Sequence, residues 1–238
     1  MNNAIKGLIV IYPLEIEGVN LVKLALDGII HAHSSFDFII AIDTERLRHK
    51  YPLASLRTLF SYTESLATEC TFHLLRLNKV TSIESTLKRN WRNDLCEKSL
   101  PRLDFEQLLQ LGVLTIFQTS KNFCFNKNGL LVGVGRTGGE IVEKIYLLQK
   151  SIFISKYSIL RLGLGLSHNE GISPYLDLLG IGGNCGVGFD SRPQFCKEIV
   201  ASNSRIIQKC FNKMLIGTKL PQSTLTKDII PYIAYNGH

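Results

Sequence analysis

Two short apolar runs flank an amphipathic segment near the start of the chain. Gly7–Tyr12 (GLIVIY) and residues 36–42 (FDFIIAI) have the length and the β-branched content of buried strands. Between them, the apolar residues of 20–32 recur at spacings of three and four, which is the pattern of a helix that packs on one face. Strand, helix and strand in this order predict a βαβ unit with two parallel strands.

The same patterning extends along the chain and changes character near its middle. The apolar spacing predicts helices at 53–67, 105–111, 140–149 and 197–215, and strands at 71–77, 113–118, 130–134, 151–155 and 159–166. A polar segment at 121–129 precedes a Gly-rich second half. We therefore expect an α/β domain with a parallel sheet and flanking helices at 1–125, and a smaller, Gly-rich α+β domain at 126–238.

Composition and cysteine spacing exclude several classes of protein. Hydrophobic residues make up 45% of the 238 residues, which is enough to build a core and excludes a disordered chain. No apolar run approaches the ~20 residues that a membrane span needs, so we expect no membrane partner. The six cysteines form no C-x-x-C pair, and His31-x-His33 places its two imidazoles on different helix faces, so we expect no metal site.

A glycine motif lies between a predicted strand and a predicted helix. Gly133, Gly135 and Gly138 match G-x-G-x-x-G, which in dinucleotide sites lets a pyrophosphate approach a helix amino end. No acid follows at the distance that the ribose hydroxyls require, and Glu140 is expected in the first helical turn, where it would oppose a phosphate. A Gly-rich hairpin or helix cap is therefore the favoured interpretation, with a nucleotide-cofactor enzyme as the alternative. We expect no cofactor.

A basic segment is the second candidate. Net charge is +7, and seven lysines and arginines fall within 73–102. Lys88 and Arg92 are four residues apart, so a helix would place them on one face, with Arg89 and Trp91 beside them. We expect Lys79, Lys88, Arg89 and Arg92 to contact RNA or phosphate, and the alternative is a solvated surface helix.

Several segments resemble the RNA 5′-hydroxyl polynucleotide kinase family. Residues 36–47 (FDFIIAIDTERL) are similar to that family's D-x-x-x-V-x-D-x-E-R-L strand, and residues 7–26, with Gly18 before a helix, are similar to its G-W-x-x-G-x-G-Y-x-x-L segment. Residues 75–80 followed by Lys88, Arg89 and Arg92 resemble its lid, and 154–160 resembles a strand of its C-terminal β domain. The resemblance implies that Asp43, Glu45 and Arg46 form a structural motif that supports the nucleotide domain.

The chain departs from this family at the phosphate-binding loop. No G-x-x-x-x-G-K-[S/T] occurs, so the nest of backbone N–H groups and the lysine that hold an NTP are missing. We therefore carry over no kinase activity and name no catalytic residue. The resemblance implies a non-catalytic component of pre-mRNA 3′-end processing that binds protein subunits of an RNA-processing complex, with RNA as a further partner. It implies a nuclear location, and the cytoplasm is the alternative.

Overall fold

The computed structural model describes residues 5–75, 82–91, 100–119, 130–152, 158–163, 175–177 and 193–218. Its contacts divide the chain into two compact units, Ile5–Phe125 and a second unit that follows from Asn126. Both units mix helices with small sheets, and helices account for the larger part of the described residues. The structure therefore confirms that the fold combines α-helices and β-strands.

The first unit is built around a three-stranded sheet. Its elements are β1 (Gly7–Tyr12), α1 (Val19–Ala32), β2 (Phe38–Asp43), α2 (Thr44–Lys50), α3 (Leu56–Leu75), α4 (Ile83–Asn90), α5 (Phe105–Gln110) and β3 (Leu114–Gln118). The strand order is β1-β2-β3, and β1 and β2 are parallel, as the βαβ pattern predicted. β3 runs antiparallel to β2, so the expectation of a wholly parallel sheet is wrong for this unit. An apolar run identifies a strand but carries no information on its direction.

The core of the first unit lies on the central strand. Phe38, Ile39, Ile40 and Ile42 are all buried in β2, and Ile40 and Ile42 are fully inaccessible, which confirms the prediction for this run. α3 packs against β1 and β2 and buries most of its own residues. The strand thus has a neighbouring strand on each edge and α3 packed against it.

α3 replaces a predicted strand. The segment 71–77 was expected to be extended because of its β-branched and aromatic residues, but the helix continues through Leu75. Its buried hydroxyl groups are satisfied within the helix: Thr68 Oγ1 donates to the Glu64 carbonyl at 2.8 Å and Thr71 Oγ1 donates to the Ala67 carbonyl at 2.7 Å. Tertiary burial of the whole helix therefore outweighs the local β preference of its last turn.

The second unit contains a parallel sheet. Its elements are β4 (Leu130–Val134), α6 (Gly135–Ile152), β5 (Ser158–Gly163), β6 (Tyr175–Asp177), α7 (Pro193–Ser202) and α8 (Ser204–Thr218). The strand order is β4-β5-β6, and both pairings are parallel. Within this unit β4, α6 and β5 form a strand–helix–strand unit whose two strands are parallel.

Helices pack on both faces of this second sheet. Leu160 and Leu162 of β5 form a buried cluster with Ile207 and Phe211 of α8 and with Val200 of α7. α6 contacts β4 and β5 and buries Val142 and Ile145.

Two boundaries in this unit differ from the prediction. The segment 197–215 was expected to be one helix, but α7 ends at Ser202 and α8 begins at Ser204. Ser202 Oγ and Asn203 Nδ2 donate to backbone carbonyls of the preceding turn, a competition that ends helices. Ser151 and Ile152 belong to α6 instead of a strand, and the rest of the predicted strand at 151–155 lies outside the described residues.

Across the ranges that the structure describes, no helix combines the length and the apolar character that a membrane crossing requires.

Candidate functional site

The glycine motif lies at the junction of β4 and α6. β4 ends at Val134, α6 begins at Gly135, and the chain returns to β5 parallel to β4. Of the two structures favoured from the sequence, a hairpin or a helix cap, this strand–helix–strand geometry rules out the hairpin, because a hairpin would join antiparallel strands. Gly135 has a φ of 69°, in the left-handed region that glycine adopts without a Cβ penalty.

Gly133 and Gly138 hold the strand and the helix unusually close. A Cβ built on Gly133 would lie 2.2 Å from the carbonyl oxygen of Gly138, and one built on Gly138 would lie 3.2 Å from the carbonyl carbon of Gly133. Any side chain at position 133 would therefore force β4 and α6 apart. Close strand–helix packing of this kind is one of the roles of glycine in dinucleotide-binding turns.

α6 begins five residues before the predicted helix start, and this changes the charge at its amino end. The first turn contains Gly135, Arg136, Thr137 and Gly138 and no acid. Glu140 lies in the second turn, where its Oε1 accepts a hydrogen bond from Arg136 Nε at 3.1 Å. The electrostatic objection to a phosphate at this helix end therefore does not hold. The positive end of the helix dipole and four N–H groups without intrahelical partners remain there.

The motif also lies at the carboxyl edge of the parallel sheet. In open α/β sheets ligands bind outside this edge, where loops leave the strands. β5 (SILRLG) ends at Gly163 and contains no acid, so the described residues offer no carboxylate for the ribose hydroxyls at the end of the neighbouring strand. The arrangement therefore suits phosphate groups better than a complete dinucleotide.

A buried ion pair that the sequence pattern did not predict connects α6 to β5. Arg161 is 5% exposed, and its Nε lies 3.7 Å from Oε2 of Glu143 on α6. A Cβ on Gly139 would lie 3.6 Å from Arg161 Cδ, an ordinary contact, so the aliphatic stem of the arginine passes next to this glycine. The sequence does contain a sign of this pair, because Arg161 lies inside an otherwise apolar predicted strand. A buried arginine requires a partner of opposite charge.

In the first unit, Asp43 caps a helix at the end of β2. Asp43 Oδ1 accepts a hydrogen bond from the Arg46 N–H at 3.1 Å, which satisfies one free donor of the first turn of α2. The Arg46 side chain is mostly exposed, with Nε 3.9 Å from Asp43 Oδ2. Tyr12, Asp43, Arg46 and His49 line a cleft of about 240 Å³ at this end of the parallel pair.

Glu45 ties the loop after β1 to α2. Its carboxylate is almost buried and accepts hydrogen bonds from Arg48, at 2.8 Å from Nε, and from the Glu15 N–H at 3.2 Å. Burial by itself would raise the pKa of Glu45, but these hydrogen bonds and the charges of Arg48 and His49 outweigh it and hold the pKa below its usual value. The role of Glu45 in these contacts is structural.

The basic segment is only partly described, because Lys79 and Arg92 lie outside the described residues. Lys88 and Arg89 are exposed in the last turn of α4, and Lys88 forms an ion pair with Glu106 of α5. α4 ends at Asn90, and Trp91 follows in extended conformation with its ring centroid 5.3 Å from that of Phe105. Because Arg92 lies outside the described residues, the helix face that it was expected to share with Lys88 stays a prediction.

Comparisons with models of protein families, with curated protein sequences and with solved structures give no match. The resemblance to the RNA 5′-hydroxyl polynucleotide kinase family and the role in pre-mRNA 3′-end processing stay predictions.

Proposed function

We propose that the second unit binds a nucleotide and holds its phosphate groups at the amino end of α6. The observation that carries this proposal is the glycine-lined turn from β4 into α6, at the carboxyl edge of a parallel sheet. A helix amino end reached through such a turn presents backbone N–H groups and a positive dipole to an anion.

Two side chains in the first turn add to the backbone donors. Arg136 is exposed and its pairing with Glu140 is solvent-accessible, so a phosphate can replace the carboxylate as its partner. The Thr137 hydroxyl lies one residue further along the same turn and can donate to a phosphate oxygen. The proposed ligand class is a nucleoside phosphate, because β5, the strand that neighbours β4, contains no acid between Ser158 and Gly163.

Substitutions at Thr137 test the proposal because they separate binding from folding. A carboxylate in the first turn of a helix is favourable for the helix, by about 0.3–1 kcal/mol. The same carboxylate repels a phosphate a few ångströms away by ~1 kcal/mol or more, even in an aqueous dielectric. We expect Thr137→Glu to weaken nucleoside triphosphate binding by about fivefold or more and to leave the melting temperature unchanged or higher.

Thr137→Gln is the matched control, since it has nearly the same size and shape without the charge. Isothermal titration of wild type, Thr137→Gln and Thr137→Glu with a nucleoside triphosphate gives the three affinities. Equal affinities for the Glu and Gln variants, or no binding by the wild type, would refute phosphate binding at α6.

A further inference from the structure

A histidine and a glutamate lie side by side in the core of the first unit. His73 is 5% exposed and Glu69 is 1% exposed, and both belong to α3, four residues apart. His73 Nε2 lies 3.5 Å from Glu69 Oε1, yet it forms no hydrogen bond with any residue that the structure describes. A buried side-chain nitrogen without a hydrogen bond is unusual in folded proteins and calls for an explanation.

The indole ring of Trp91 is the second neighbour of His73. The two ring centroids are 6.0 Å apart, and the ring planes are inclined by 45°. Trp91 directly follows the last turn of α4, and its ring also packs against Phe105 at the start of α5. His73 therefore lies at a contact that attaches the end of α4 to α3.

Protonation strengthens both contacts of His73. An imidazolium carries N–H groups on both ring nitrogens and a positive charge, so it is attracted to the Glu69 carboxylate. A cation within about 6 Å of an indole centroid is also attracted by the π-system of the ring. Burial opposes the charge, and histidine is the side chain whose charge ordinarily changes between pH 5 and pH 8. The two attractions are therefore present at one end of this range and absent at the other.

In the described part of the chain, Glu69 is the one acidic group within 4 Å of the His73 ring nitrogens. The other elements that pack on α3 are β1, β2, α2 and α4, and β1 carries no charge. The charged groups of β2 and α2 are paired with one another or exposed, and those of α4 are exposed or paired with α5. They are Asp43, Glu45, Arg46, Arg48, His49 and Lys50 in the first set and Glu84, Lys88 and Arg89 in the second. Cys70, one turn before His73, is a further buried titratable side chain of α3.

We propose that His73 makes the attachment of Trp91 depend on pH. Protonation of His73 tightens the contact between α3 and the end of α4, and loss of the proton loosens it. Lys88 and Arg89 lie in the last turn of α4, so the position of these two basic residues follows the protonation of a side chain in the core. This behaviour is independent of the proposed nucleotide site.

The wild-type chain tests the proposal directly, because Trp91 is its single tryptophan and the fluorescence reports this contact alone. Acrylamide is an uncharged quencher whose access to Trp91 increases when the ring detaches. We expect the quenching constant to be about twofold or more higher at pH 8 than at pH 5.5, the factor by which a cation–π contact shifts such an equilibrium. Nitrogen NMR of the His73 ring should show the change in protonation over the same range. A quenching constant independent of pH, or a His73 ring that keeps one protonation state from pH 5 to pH 8, would overturn the proposal.

A pair of histidine variants locates the effect. His73→Gln removes the titrating ring and keeps a polar side chain, and we expect its quenching constant to be the same at both pH values. His49→Gln is the matched control, since His49 also lies next to a glutamate but is exposed on α2, and it should respond to pH as the wild type does. Circular dichroism at both pH values verifies that each variant is folded, and the wild-type measurements decide if His73→Gln does not fold. A pH response that survives in folded His73→Gln, or that is lost in His49→Gln, would contradict the proposal.

Discussion

Gly133 and Gly139 lie six residues apart, and a Cβ atom would have very different neighbours at the two positions. A Cβ at position 133 would collide with the backbone of α6, whereas one at position 139 would make an ordinary contact with Arg161. We expect Gly133→Ala to destabilise the second unit by about 1–3 kcal/mol through overpacking. We expect Gly139→Ala to be neutral or stabilising by up to ~1 kcal/mol, because alanine is the better helix former. Thermal unfolding of the two variants measures this difference, and equal effects would mean that β4 and α6 are not in close contact.

Glu45 gives the first unit a pH-dependent contribution to stability. Its pKa is lowered in the folded chain, so this contribution is fully present above the unfolded pKa and is lost as the pH falls through the folded pKa. We expect Glu45→Gln to cost about 1–3 kcal/mol at pH 7, because it leaves Arg48 and the Glu15 N–H with a neutral acceptor. The difference between wild type and variant should shrink below the usual carboxylate pKa of ~4.3. Denaturant titrations at pH 7 and pH 3 measure it, and a difference that is constant with pH would contradict this role.

At the residue scale, the sequence located the glycines between a strand and a helix, but it did not show how close these two elements lie. The spacing of Gly133, Gly135 and Gly138 is visible in the sequence, but their contact depends on where α6 begins. A helix that starts at Gly135 moves Glu140 from the first turn to the second and pairs it with Arg136. Periodicity of apolar residues could not reveal that start, because the first turn of α6 contains none.

At the scale of elements, β2 was the most predictable part of the chain. Its continuous apolar run predicted burial, and Ile40 is fully inaccessible between two strands. We expect Ile40→Asp to destabilise the first unit by several kcal/mol, since an unpaired carboxylate in a core is among the costliest changes. Leu53→Asp is the control at a position that is 99% exposed. An Ile40→Asp variant that melts with the wild type would contradict the central position of β2.

Two other elements show why the pattern of apolar residues was not sufficient to predict where helices end. The last turn of α3 has residues that favour strands, and only its burial against the sheet explains the helix. α4 stops before Trp91 because that ring packs on Phe105, a residue 14 positions later in the sequence. Both outcomes depend on contacts between elements that are far apart in the chain, which local spacing does not encode.

At the scale of the whole molecule, the two units offer different chemistry. The first unit contains a helix cap at Asp43, and Lys88 of its basic segment is paired with Glu106. The second unit contains the glycine-lined helix amino end without an acid in its first turn. The proposed function therefore rests on the βαβ arrangement of the second unit and not on the basic segment of the first.

The most direct test of phosphate binding locates the ligand on individual residues. Amide resonances of the isotopically labelled full-length chain can be followed during separate titrations with ATP, GTP and NADH. We expect a nucleoside triphosphate to shift the amides of Gly135, Arg136 and Thr137 most, and inorganic triphosphate to shift the same amides. Shifts confined to other residues, or none at saturating ligand, would contradict a phosphate site at the amino end of α6.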